Sequence, residues 1–117
     1  MHELAICQAV LRQVEDIAQP QAAAVQKVVI RIGPLSGVDA DLLARAYPIA
    51  TAGTVADGSE LVVETAEVIV RCRQCGVSSH ATASRLLCAA CGDWRTKLIA
   101  GDELLLLRVE LTQPVEV

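Results

Sequence analysis

Four cysteines in two tight pairs constrain this chain more than any other feature: Cys72-x-x-Cys75, twelve intervening residues, then Cys88-x-x-Cys91. Two residues between cysteines let the backbone turn sharply enough for both sulfurs to meet one ion. Gly76 and Gly92 each follow the second cysteine of a pair, where such a turn calls for a positive φ. Two knuckles facing each other place four thiolates tetrahedrally, with Zn–S near ~2.3 Å, and leave no open position for water. The spacing therefore predicts one structural zinc at Cys72, Cys75, Cys88 and Cys91. The rival readings are paired redox dithiols and an iron–sulfur site. A thioredoxin-type motif occurs once, at the start of a helix after a strand, and does not fit a doubled pattern.

Composition makes a metal staple useful. The chain has 117 residues, no Phe and only 2% aromatics against 53% hydrophobic residues, so its core must be built from Ala, Val, Leu and Ile. No leader-like segment opens the chain, and runs such as Leu104 to Leu107 are too short to span a bilayer, so a cytoplasmic protein with no membrane association is expected. In a reducing compartment five cysteines point to metal rather than disulfides.

Helical spacing of Leu4, Cys7, Val10 or Leu11, Val14 and Ile17 predicts a helix over 3–18, ended by Pro20. Residues 27–32 read as a strand, and a second helix is expected from Asp39 with Leu42, Leu43, Ala46 and Ile49 on its apolar side. Pro48 predicts a kink or an early end near Tyr47. Residues 60–64 and 67–70 read as one long strand or two collinear ones. A short strand over 94–99 and a final strand over 103–111 complete the pattern. The expected fold class is α+β: a small three-stranded sheet with two helices plus an inserted zinc-ribbon-like module. In domain terms, 1–70 with 98–117 form a discontinuous α/β domain, and 71–97 a zinc-binding domain.

Charge is uneven around that insert. Residues 71–97 hold Arg71, Arg73, Arg85, Arg95 and Lys97 against Asp93 alone, within a chain of net charge −4. A tetrathiolate zinc carries −2, so the insert is explained without nucleic acid by compensation at the cluster. The alternative function is a zinc-ribbon nucleic-acid or transcription-associated binder using those five cations. An acidic pI near 5.0 and almost no stacking aromatics count against it. A redox dithiol protein is a third reading.

Met1-His2-Glu3 is the second candidate metal site. The amine of Met1, the deprotonated amide of His2 and its imidazole Nδ1 can close adjoining chelate rings, and the Glu3 amide or side chain supplies a fourth donor. Planar nitrogen donors suit nickel(II) or copper(II) rather than zinc. Taken alone, an initiator Met and an inconsequential exposed His is the simpler reading. A large residue at position two does, however, disfavour removal of Met1. A helix start also disfavours a bound cation, so such a site should be modest in affinity and fail in acid, as suits a carrier.

Beyond these sites the whole chain resembles the HypA/HybF family of hydrogenase-maturation nickel metallochaperones. The likeness rests on Met1-His2-Glu3-Leu4 with Cys7-Gln8, on Ile32 to Val38, on Ala52-Gly53-Thr54 and Leu61, on both knuckles, and on Gly101-Asp102-Glu103. It implies nickel at Met1, His2 and Glu3 and structural zinc at the four cysteines. It also implies nickel delivery to the large subunit precursor of a [NiFe]-hydrogenase with a HypB-like GTPase. Pro48 departs from the usual helix sequence of that family. The oligomeric state, a homodimer included, and any service to urease stay open.

The remaining residues carry bland expectations. Cys7 should pack as a small hydrophobe, His80 should be a solvated loop histidine with a second-shell or regulatory role as the alternative, and Glu64 and Glu67 should be solvated. Trp94 is expected to cover the knuckles with apolar surface. No nucleophile–base constellation or phosphate-binding glycine loop stands out, so the chain is not read as an enzyme.

Overall fold

The computed structural model describes residues 2–112, His2 by its backbone alone. In chain order it contains α1 (His2–Ala18), a 3₁₀ turn (Gln19–Gln21), β1 (Val25–Ile32), α2 (Ala40–Thr51), β2 (Glu60–Thr65), β3 (Val68–Cys72), β4 (Ser78–Ala81), β5 (Thr96–Ala100) and β6 (Leu104–Leu111). The strands form two three-stranded sheets, ordered β2-β1-β6 and β4-β3-β5. This is the expected α+β class with two helices, but the cysteine module carries a sheet of its own. No helix among the described residues is long and apolar enough to cross a membrane.

The described chain divides into two compact units, one of residues 2–30, 38–64 and 106–112, the other of 31–37 and 65–105. Boundaries expected at 70/71 and 97/98 lie inside the second unit. The reason is the antiparallel β3–β5 ladder, which runs from Ile69 opposite Ala100 to Cys72 opposite Thr96 and binds both flanks to the knuckles. A bulge interrupts it between Ile69 and Val70. On the other side β3 pairs with β4, a strand that the irregular polarity of 78–81 hides in the sequence.

In the first unit, Cys7 and Val10 of α1, Leu43 and Tyr47 of α2, Ile30 of β1 and Leu61 of β2 meet around one small gap. α1 buries the expected Cys7, Val10, Leu11 and Val14, with Glu3 and Ala18 in place of Leu4 and Ile17, which are exposed. The second helix departs further. α2 buries Leu43, Tyr47 and Thr51, residues four apart, while Leu42 and Ile49 face solvent. Asp39 caps α2 by accepting the N–H groups of Asp41 at 2.9 Å and Leu42 at 3.2 Å. The helix does not end at Tyr47 but runs through Pro48 to Thr51. Past the proline, Thr51 Oγ1 donates to the Tyr47 carbonyl at 2.9 Å, and the Tyr47 hydroxyl shares a 2.6 Å hydrogen bond with Ser59.

In the second unit the two glycine motifs come together. Gly33 N–H donates to the Glu103 carbonyl at 2.8 Å, and Leu35 N–H to the Gly101 carbonyl at 2.7 Å. A Cβ on Gly33 would lie 2.1 Å from the Gly101 oxygen, so only glycine permits this approach. The expected long strand over 60–70 is divided between two sheets. The break falls at Ala66, whose N–H donates to the Ile32 carbonyl at 2.9 Å.

Candidate metal centres

The sequence brings Cys72 to the end of β3 and lets the backbone turn at once. Gly76 N–H closes the first knuckle onto the Cys72 carbonyl at 3.0 Å, and Gly92 N–H closes the second onto the Cys88 carbonyl at 2.8 Å. Both glycines adopt the positive φ that their position called for, 76° and 77°. The second knuckle is tied to the sheet by Ala89 N–H to Ser79 Oγ at 3.0 Å and by Thr96 Oγ1 to the Leu86 carbonyl at 2.7 Å.

The four sulfurs lie within 4.8 Å of one another, with Cys72 to Cys91 and Cys75 to Cys88 both at 3.6 Å. A tetrahedral zinc with Zn–S near ~2.3 Å has sulfur–sulfur edges of about 3.8 Å, so the cluster fits a structural zinc. Four protein sulfurs fill the tetrahedron, which suits a scaffold and not a site that must admit a substrate.

Within each knuckle the first cysteine is buried and the second exposed. Their protonation divides the same way. The Cys91 N–H and then the Ala90 N–H draw the Cys88 thiol down to about 6, against burial. Cys72 is also lowered, first by the Cys75 N–H, whose nitrogen is 3.4 Å from its sulfur. Cys91 moves up to about 12: the Asp93 N–H pulls it down, but the neighbouring sulfurs and burial outweigh that pull. Cys75 is raised too, burial and the Cys88 and Cys72 sulfurs outweighing the Val77 N–H. Without a cation the four thiols cannot all ionise. A divalent metal removes that repulsion and takes up all four thiolates.

Arg95 bears electrostatically on Cys72 and Cys91, though its strongest partner is Asp93, 2.9 Å away. Trp94 does not cover the knuckles. It is 75% exposed, with the Arg95 guanidinium 5.9 Å from its ring centroid. Asp93 explains this: its carbonyl accepts the Cys88 N–H at 3.0 Å and its carboxylate holds Arg95, so the residue between them turns outward. His80 lies on β4 rather than in a loop, exposed and 3.4 Å from Glu67.

At the other candidate site, Met1 and the His2 side chain lie outside the described residues. Glu3 is described: it is 7% exposed in the first turn of α1, and its carboxylate accepts the Asp39 N–H at 3.4 Å. Sequence reading missed this anchor, because nothing in a linear pattern links the third residue to the cap of α2. Glu3 also borders an open groove of about 240 Å³ lined by Leu4, Leu42, Arg45, Ala46 and Ile49. Cys7 is core, as expected, 2% exposed with its thiol raised by burial and then by the charge of Glu3.

Comparison with known proteins adds the following. A model of the family described as hydrogenase/urease nickel incorporation, metallochaperone, hypA matches residues 1–111. The hydrogenase maturation factor HypA of Nitrosospira multiformis is 48% identical over 112 residues, covering 95% of this chain and 97% of its own length. Its counterpart in Aquifex aeolicus is 39% identical over the same shares. In fold the chain is similar to the solution structure of the Ni metallochaperone HypA from Helicobacter pylori, with TM-score 0.68, 21% identity, and 96% and 98% of the two chains covered.

Proposed function

Because the chain belongs to the HypA family of hydrogenase/urease nickel-incorporation metallochaperones, we propose that it carries Ni(II) at Met1, His2 and Glu3. It delivers the ion to the large subunit precursor of a [NiFe]-hydrogenase, with a HypB-like GTPase as partner, in the cytoplasm. The first unit is then the nickel-binding domain, and the second, through Cys72, Cys75, Cys88 and Cys91, the zinc-binding one. Nickel is cargo here, not a resident cofactor, and no catalytic role is assigned to any residue.

The observation that carries this reading is the anchoring of Glu3 by the Asp39 N–H at the start of α1. It ties Glu3, the third residue of the Met1-His2-Glu3 sequence, to the body of the first unit. The opening amides of a helix have no carbonyl four residues back to bond. Such an amide can lose its proton to a metal without breaking a helical hydrogen bond. The same helix end disfavours positive charge, which keeps the affinity modest and the ion transferable.

Transfer is the direct test. Protein loaded with radioactive nickel should pass it to purified large subunit precursor in the presence of the GTPase, and His2→Ala should pass none. Equal transfer by the variant would remove the amino terminus from the mechanism. Membership of the metallochaperone family also displaces the nucleic-acid reading of the basic insert, so those cations need another explanation.

A further inference from the structure

Of the four cations at the β3–β5 pair, Arg95 bears on the cysteine cluster, and Arg71, Arg73 and Lys97 are left to explain. Val70 and Cys72 are buried at 0% and 2% exposure, so the two-residue period of β3 turns Ile69 and Arg71 to the opposite, outer face. Arg71 stands directly across from Lys97 of β5, and both are exposed. Like charges directly opposite each other weaken a strand pair. One ladder step beyond, the Arg73 N–H donates to the Arg95 carbonyl at 2.8 Å, which brings a third exposed cation to this end of the face.

Among the described residues none of Arg71, Arg73 and Lys97 is in an ion pair, whereas Arg95 is held by Asp93. Compensation of thiolate charge accounts for Arg95, which bears on two of the sulfurs, but not for cations on the far side of the sheet. The same face is apolar alongside them. Ile99, two residues from Lys97, is 52% exposed, and Ile69, two residues from Arg71, is partly so. At the end away from the cations, Glu67 is engaged with His80.

We infer that this outer face of β3 and β5 docks a short acidic segment of a partner protein. Its carboxylates meet Arg71, Arg73 and Lys97, and its aliphatic side chains lie on Ile69 and Ile99. The complement of a surface that sets cation beside isoleucine is a strand whose every second residue, on one face, is carboxylate and aliphatic in turn. A nucleic acid is the poorer fit. Isoleucine offers no stacking platform where a base would need one. Unpaired exposed charge of this kind gives partner choice and association rate more than bulk affinity. The inference does not depend on where nickel binds.

The test uses zinc-loaded full-length protein and a fluorescein-labelled peptide repeating Glu-Ser-Val-Ser, which sets Glu and Val in turn along one face of a strand. Fluorescence anisotropy should show saturable binding that weakens with salt. Joint substitution Arg71→Glu and Lys97→Glu should weaken it about tenfold or more, two lost charge contacts amounting together to one decade. Arg71→Gln with Lys97→Gln, milder for the fold, should weaken it in the same direction, and zinc content shows that each variant is folded. Ile99→Ser, or a peptide with Ser in place of each Val, should cost several-fold, while Arg12→Glu on α1 should change nothing. Three results overturn the inference: folded variants that bind the peptide as the natural protein does, equal binding of a peptide with Gln in place of each Glu, or tighter binding of a single-stranded oligonucleotide of the same charge.

Discussion

At the scale of single residues, Cys72 and Cys88 differ from Cys75 and Cys91 in what their sulfurs receive. Backbone N–H groups aim at the first cysteine of each knuckle, so Cys88 is drawn to about 6 while Cys91 rises to about 12. Cys88 should therefore hold zinc against protons better than Cys91, so Cys88→Ser should release zinc at higher pH than Cys91→Ser, which zinc release followed through falling pH checks. The sign for folding follows from linkage. A depressed acid favours the folded state above its unfolded value, and its contribution fades as pH falls through about 6; the raised Cys91 contributes in the opposite sense, losing ground above about 9. The meeting of the four cysteines was legible in the sequence because two residues of spacing fix a knuckle whatever surrounds it. The exposure of Trp94 was not, because it depends on where Asp93 sends its carbonyl and carboxylate.

Among the elements, periodicity foretold both helices and the middle of the α1 stripe, but not the face that α2 buries. Leu42 and Ile49 match an apolar stripe as well as Leu43 and Tyr47 do, and only packing against β1 and β2 selects the second pair. Pro48 suggests a kink or an early end; the helix does not end there, with Thr51 bonding back to Tyr47. Two strands over 60–70 are one reading of the sequence, but their placement in different sheets was hidden because both segments are rich in valine, and the break at Ala66 shows only in its bond to Ile32. β4 left no periodic trace in Ser78-Ser79-His80-Ala81. The glycine motifs were visible as words, but their meeting is a fact of the fold. Gly33→Ala should cost about 3 kcal/mol, since its Cβ would press on backbone that cannot swing aside. A denaturant midpoint close to that of the natural protein would contradict the close approach of Gly33 and Gly101.

For the molecule as a whole, strand pairing rather than metal ligation carries the second unit over 65–105, wider than the 71–97 that the cysteines suggest. Zinc in such a site supplies on the order of 10 kcal/mol of apparent folding free energy. Chelating it, or making Cys88→Ala, should release the amide protons of β3, β4 and β5 to exchange while those of α1 and α2 stay protected. Simultaneous loss of protection in both helices would show that the units do not fold separately. The other end of the chain carries the account's central claim, that the working metal is bound away from the four-cysteine cluster. Nickel titration of untagged protein against His2→Ala tests it most directly. The account predicts one nickel per chain at neutral pH with a planar, nitrogen-rich spectrum, abolished by His2→Ala with zinc still bound; nickel binding unchanged in that variant would contradict it.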